Sequence, residues 1–293
     1  MSLAGDRPQV QKFAADAVNQ VKNSMYGVDD VIRLCLVALY VKGHVLLEGN
    51  PGLGKTSLVN TIADTLDLSF RRIQFTPDLL PSDILVTPKL RQGENGTSFE
   101  LVRGPVFTSL LLADEINRAT QKTQSALLEA MGERQVTMNG ETTRLDEGGV
   151  PFMVLATQNP IDHEGTYELP EAQLDRFLFK VLMPTPRSDA LKLIMRKTAG
   201  ALSDSDGEVA EVPKATPIEP HADTIKRFTA YHNLIKQVRP APSVQAHVEN
   251  LFQASNGQIR SLQLGRQAGA EAQRLAAMLA YGLGPRAATA LLI

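Results

Sequence analysis

Gly49-Asn50-Pro51-Gly52-Leu53-Gly54-Lys55-Thr56, running on into Ser57, is the stretch whose reading decides the fold. It follows the apolar run Val45-Leu46-Leu47 and leads into Ser57 to Leu66, which reads as a helix. The pattern is GxxxxGK[ST] between a strand and a helix, the context in which such a loop wraps a phosphate. Its glycines let the backbone bend until several N–H groups point at one anion. The helix that follows adds its positive N-terminal end. Lys55 can reach outer phosphates, and the Thr56 hydroxyl can ligate Mg²⁺. A plain glycine-rich turn would explain the glycines but not the lysine and threonine in register.

Upstream, Val10, Phe13, Ala14, Ala17, Val18 and Val21 recur at helical spacing, Tyr26-Gly27 breaks the pattern, and Asp29 to Tyr40 reads as a second helix before the strand His44 to Glu48. Downstream, strands are expected at Phe70 to Phe75, Leu110 to Ala113, Phe152 to Ala156 and Phe177 to Leu182, with a helix at Gln121 to Met131. Strands alternating with helices predict an α/β fold: a mostly parallel sheet covered by helices. Two pieces interrupt it, Leu85 to Val102 turning at Asn95-Gly96 and Gln135 to Leu145 turning at Asn139-Gly140. Asn-Gly is a strong hairpin signal, so both read as β-hairpin insertions, either projecting elements or ordinary surface loops. Past Pro184 the character changes. Arg187 to Thr198 reads as helix, Ala201 to Pro220 as a linker, and His221 to Val238, Ser243 to Ala254 and Ile259 to Tyr281 as helices. The expected division is residues 1–186 as the α/β domain and 187–293 as a smaller helical lid.

The other candidate chemistry lies at strand ends. Leu110-Leu111-Leu112-Ala113 runs into Asp114-Glu115. An acid there can hold Mg²⁺, and a second acid beside it can take a proton from attacking water. Two helix-capping acids are the plainer alternative. Asn159 follows the next strand and can position water or touch an outer phosphate, although Asn-Pro is also common turn punctuation. Ligands of open α/β sheets bind at the carboxyl ends of the strands, where the loop, Asp114, Glu115 and Asn159 all fall. Arg176 and Arg286 are permanently charged and can stabilise a transferring phosphoryl group, or can be surface cations.

The 293 residues carry 30 basic and 32 acidic side chains and are 43% hydrophobic. That near balance argues against a dedicated nucleic-acid binder. The adjacent Arg71-Arg72 would face opposite sides of a strand. A lone cysteine, Cys35, sits in an apolar segment and is expected to pack as a small hydrophobe. With one thiol, a reducing compartment fits. The N-terminus lacks the apolar centre of a signal peptide, and the run Leu34 to Val41 is too short to span a bilayer, so a cytoplasmic protein without membrane contact is expected. His44, His163, His221, His232 and His247 show no metal-ligand spacing. An NKxD-type guanine element is missing, so ATP is the expected nucleotide.

These features resemble the AAA+ ATPases and, within them, the MoxR family. The resemblance runs from about Val21 onward. It rests on GNPGLGKT (49–56), FTPDLLPSDI (75–84), GPVFTSLLLADEINRA (104–119) and ATQNPIDHEGTYELPEAQLDRFLF (156–179). The two insertions match the family's extra hairpins, and GPRAATALL (284–292) resembles its lid-arginine motif. The resemblance implies Walker A roles for Lys55 and Thr56, and Walker B roles for Asp114 and Glu115, with Glu115 as base. It further implies sensor 1 for Asn159, an arginine finger for Arg176 acting on a neighbouring subunit, sensor 2 for Arg286, and a subunit-boundary role for Arg118. ATP and Mg²⁺ are the implied cofactors. A homo-oligomeric ring, usually a hexamer, is implied, with a von Willebrand factor A partner and a client that the ATPase remodels, assembles or activates with a metal cofactor. Phe99 and Met138 are candidate client contacts. A nucleic-acid motor is the rival reading, but the hairpins offer only Lys89, Arg91 and Arg144. A nucleotide-gated scaffold without turnover is another. Relatives usually continue through more lid helices, whereas this sequence stops at Ile293 within the helix expected from Pro285, and they often carry an arginine that the segment Leu251 to Asn256 lacks, so the resemblance leaves the lid's phosphate contacts open.

Overall fold

Two helices, α1 (Leu3–Lys22) and α2 (Asp29–Tyr40), open the chain in a computed structural model that describes residues 3–50, 52–93, 96–138, 140–159, 167–185, 217–218 and 221–255. Phe13, Ala17 and Val21 on α1, and Val31, Ile32, Cys35 and Leu39 on α2, are buried at three- and four-residue intervals, so each helix turns one apolar stripe inward. Gly27, at φ +76°, makes the break between them. The sequence then alternates as expected: β1 (Val45–Glu48), α3 (Lys55–Thr65), β2 (Phe70–Gln74), the short α4 (Pro81–Ile84), β3 (Val86–Gly93), β4 (Gly96–Arg103) and β5 (Leu110–Asp114). A 3-10 turn (Ile116–Arg118) leads to α5 (Gln121–Glu133), β6 (Gln135–Met138), β7 (Glu141–Arg144), β8 (Met153–Gln158), α6 (Glu171–Leu174) and β9 (Phe179–Leu182).

Five strands form one parallel sheet in the order β2-β5-β8-β1-β9. Every residue of β5 is buried, as are the first five of β8, because helices cover both faces. Leu110, Leu111 and Leu112 have no exposed surface, and truncating one to alanine is expected to cost about 2–5 kcal/mol. The register sets Glu48 beside Gln158 and Gln74 beside Asp114, so the carboxyl ends of β1, β8, β5 and β2 make one rim. The hairpins β3-β4 and β6-β7 are separate two-stranded sheets.

Several boundaries differ from the sequence reading. α3 begins at Lys55 rather than Ser57, because Gly54 caps it in the left-handed region at φ +74°. β8 runs on to Gln158, which brings Thr157 into the sheet, while Phe177 and Leu178 fall outside β9. In the first hairpin Gly93 pairs with Gly96, so the two connecting residues are Glu94-Asn95 and Gly96 is already strand. In the second, Met138 pairs with Glu141, leaving Asn139-Gly140 as the turn, with Gly140 at φ +83°. Met138 does not stand clear of the body; it is half-buried and packs against the main apolar core.

Two helices follow, α7 (His221–Ile235) and α8 (Pro242–Ser255). Residues to His232 form one compact unit and those from Asn233 a second. The sequence reading began the lid at 187; the first unit of the structure continues through most of α7. Within that unit Phe228 stacks on Tyr40 at 4.7 Å, and Arg227 lies over the Phe13 ring at 4.7 Å. The His221 N–H donates to Asp67 Oδ2 at 2.8 Å. The expected helices at 187–198 and 259–281 lie outside the described residues, as do Pro51 and Arg286.

Candidate functional site

The loop after β1 is stitched to the neighbouring strand: the Gly49 N–H donates to the Gln158 carbonyl at 3.2 Å. Gly52 and Gly54 sit at φ +84° and +74°, conformations that side-chain-bearing residues rarely adopt. Gly49 is needed for space instead, since a Cβ there would lie 2.7 Å from Cβ of Met183. Lys55 starts α3 and folds back, its Nζ donating to the Gly49 carbonyl at 2.7 Å. Burial lowers the Lys55 pKa, and the charges of Asp114 and Glu115 act in the opposite direction. The ammonium therefore sits over its own loop, with two carboxylates close enough to feel it.

Those carboxylates have separate supports. Asp114 ends β5, and its Oδ2 accepts from Arg72 Nη2 at 2.7 Å and Nε at 3.2 Å. Its Oδ1 accepts from the Thr157 hydroxyl at 2.5 Å. Glu115 lies one residue past the strand at φ +55°, ψ +51°. Its Oε2 accepts from Gln74 Nε2 at 2.9 Å and Arg118 Nη1 at 2.7 Å. Neighbouring acids thus project in different directions. The turn that carries Arg118 is held from beneath by buried Gln124, whose amide donates to the carbonyls of Ile116, Ala119 and Tyr167.

A pocket of about 200 Å³ opens beside the loop, lined by Tyr26, Val28, Leu53, Gly54, Ser57 and Pro184 among others. Its mixed apolar and backbone lining can take a flat heterocyclic base. Sequence reasoning registered Tyr26-Gly27 only as a helix break and Pro184 only as a change of character. The local signal was a turn glycine and a proline, with nothing to say that the fold brings both to the loop.

The structure gathers Gly49, Asn50, Gly52 to Ser57, Asp114, Glu115 and Asn159 along one rim, Asn159 directly following β8. It does not bring Arg176 there. The Leu178 N–H donates to the His44 carbonyl, and Phe179 pairs with Val45, so Arg176 lies near the opposite end of β1 from the loop. A four-residue strand at ~3.3 Å per residue separates those ends by about 13 Å. Arg176 Nε is buried close to Gly132. The rim suits a nucleotide and its metal: the glycine backbone is shaped for an anion, and the Thr56 hydroxyl with the Asp114 carboxylate is an oxygen-only donor set of the kind Mg²⁺ takes.

Comparison with known proteins agrees with this geometry. Residues 44–179 match the sequence profile of the ATPase family associated with various cellular activities (AAA). The chain is 41% identical over 269 residues to the uncharacterized protein YeaC of Bacillus subtilis, covering 91% of this chain and 78% of YeaC. It is 53% identical over 175 residues to Chaperone MoxR1 of Mycobacterium tuberculosis, covering 59% of this chain but only 45% of that protein. A crystal structure of a candidate ATPase from Cytophaga hutchinsonii superposes with TM-score 0.73 at 34% identity, over 98% of this chain and 81% of the other. Among the described residues no helix is long and apolar enough to cross a membrane. With a phosphate loop, an Asp-Glu strand end and two hairpins on a five-stranded parallel sheet, the chain belongs to the MoxR family of AAA+ ATPases.

Proposed function

We propose that this chain binds ATP with Mg²⁺ and hydrolyses it to drive chaperone-like remodelling, assembly or cofactor loading of a client protein in the cytoplasm. The observation that carries the reading is the convergence of Lys55, Asp114 and Glu115 on one sheet rim, with each acid held by its own partners. In this reading the amides of 49–57 grip the phosphates, Lys55 balances their charge, and the pocket beside Tyr26 takes the base. Bound by Thr56 and Asp114, Mg²⁺ would offset charge on the phosphate oxygens. Glu115 accepts the proton of an attacking water that Asn159 orients. In the structure described, Gln74 and Arg118 hold its Oε2 and so fix the orientation of the carboxylate.

The distance of Arg176 from its own loop supports a role at a neighbour's nucleotide, in a head-to-tail ring that we take to be a hexamer. Arg286, on the lid of residues 187–293, would complete the phosphate contacts. A von Willebrand factor A protein is the partner we expect, with the first hairpin, which carries Phe99, toward the client. The test is phosphate release by wild type and Glu115→Gln at rising protein concentration. Wild type should show specific activity that climbs with concentration as rings assemble. The variant should keep its ATP affinity and lose turnover by about 10²–10⁴-fold. Undiminished hydrolysis by the variant would remove Glu115 from the base role.

A further inference from the structure

Thr157 has no exposed surface, yet it is polar and lies in the middle of the sheet. A buried hydroxyl persists where it is satisfied, and this one has two partners, both in the acid pair. The backbone N–H of Glu115 can only donate, so the Thr157 oxygen is the acceptor of that 2.8 Å bond. The single hydroxyl proton then goes to Oδ1 of Asp114, 2.5 Å away. Asp114 is thereby gripped from both neighbouring strands: Thr157 on β8 holds Oδ1 and Arg72 on β2 holds Oδ2. Glu115 occupies a left-handed backbone conformation that residues with a side chain rarely adopt. Its amide is tied down by the same hydroxyl.

We propose that Thr157 is a positioning residue for catalysis: one buried hydroxyl that sets the Asp114 carboxylate for metal binding and locks the strained backbone from which Glu115 projects. The proposal rests on the ATP-hydrolysis reading above and assigns a part to a residue that the resemblance leaves without a role. The Thr157 side-chain hydrogen bonds run to the two acids, and the residue acts through them. Because it lies on β8, one residue before the strand's last residue, it also couples the acid pair to the strand end beside the loop. Valine at this position keeps the shape and removes both bonds, whereas serine keeps the hydroxyl.

The experiment compares wild type, Thr157→Val and Thr157→Ser. Without nucleotide, amide hydrogen exchange at Glu115 should be on the order of tenfold faster in the valine variant and near wild type in the serine variant. ATP binding measured without Mg²⁺ should stay within about twofold for all three, since the loop is untouched. At saturating ATP, kcat of the valine variant should fall about 10- to 100-fold, and the Mg²⁺ concentration for half-maximal rate should rise by a similar factor, with serine restoring both. Wild-type kcat together with wild-type Glu115 exchange in Thr157→Val would overturn the proposal. So would equal loss of metal-free ATP binding and of turnover without rescue by serine, because that pattern marks general structural damage. A wild-type protein that hydrolyses no ATP would sink the functional reading, while the exchange comparison would still decide whether Thr157 holds Glu115.

Discussion

His44 should make the stability of this protein fall as pH drops from 8 to 5. The residue precedes β1, is 4% exposed, and has both ring nitrogens engaged in the core. Nδ1 accepts the Val154 N–H at 2.9 Å, which places the proton on Nε2, donating to the Met131 carbonyl at 3.2 Å. The ring is therefore neutral and lies edge-on to Phe152. Burial, then the nearby Arg134 charge, lowers its pKa from 6.5 to about 3, with the Met131 bond acting weakly the other way. The folded state thus binds fewer protons than the unfolded chain between those two values. Stability is full above the unfolded pKa and is lost as pH falls through that window. At about 1.4 kcal/mol per unit, the loss from pH 8 to pH 5 is about 2 kcal/mol, with a ceiling near ~5 kcal/mol toward pH 3. For a unit of this size that is a drop in Tm of about 4–8 °C. Asp78 and Asp146, whose pKa values lie below the ordinary 3.8, titrate lower and leave the range from pH 8 to pH 5 clear. Urea unfolding at pH 8, 7, 6 and 5 should show the slope in wild type and a markedly flatter one in His44→Gln, which can make similar bonds without titrating. Equal slopes in the two proteins would refute the reasoning.

At Gly104, at the foot of the first hairpin, an added Cβ would lie 2.6 Å from the Leu85 carbonyl oxygen, a backbone atom that cannot step aside. Gly104→Ala is expected to destabilise by about 1–3 kcal/mol, read as a lower urea midpoint, and an unchanged midpoint would count against the contact. Arg176→Ala and Glu115→Gln should each be inactive alone yet recover activity when mixed. At equal proportions about a quarter of the interfaces pair an intact Glu115 with an intact Arg176. Mixtures as inactive as their components would argue against action in trans.

Much of the rim was readable along the chain because its parts are local. Gly49 to Thr56 and Asp114-Glu115 are contiguous, and a strand end presents neighbours by their order in sequence alone. The helix and strand alternation followed from periodicity, since burial on one face imposes it. The second hairpin turned where Asn139-Gly140 indicated. In the first, cross-strand pairing with Gly93 takes Gly96 into the strand. Met138 carries no sequence mark to show that it leans on the core. Arg72 read only as one of two adjacent arginines facing opposite sides of a strand. Its use depends on β2 lying beside β5, which no local pattern states.

By itself, the order of residues determined which groups this protein has for phosphate chemistry and which segments are helix or strand, because backbone geometry and apolar spacing act over a few residues. Tertiary structure alone decided the strand order β2-β5-β8-β1-β9. With it came Thr157 and Arg72 on the two oxygens of Asp114, Tyr26 and Pro184 beside the loop, and Arg176 at the far end of β1. The reason is physical: these contacts join residues separated by tens of positions, and they form only once burial of the sheet's two apolar faces has chosen one packing among many.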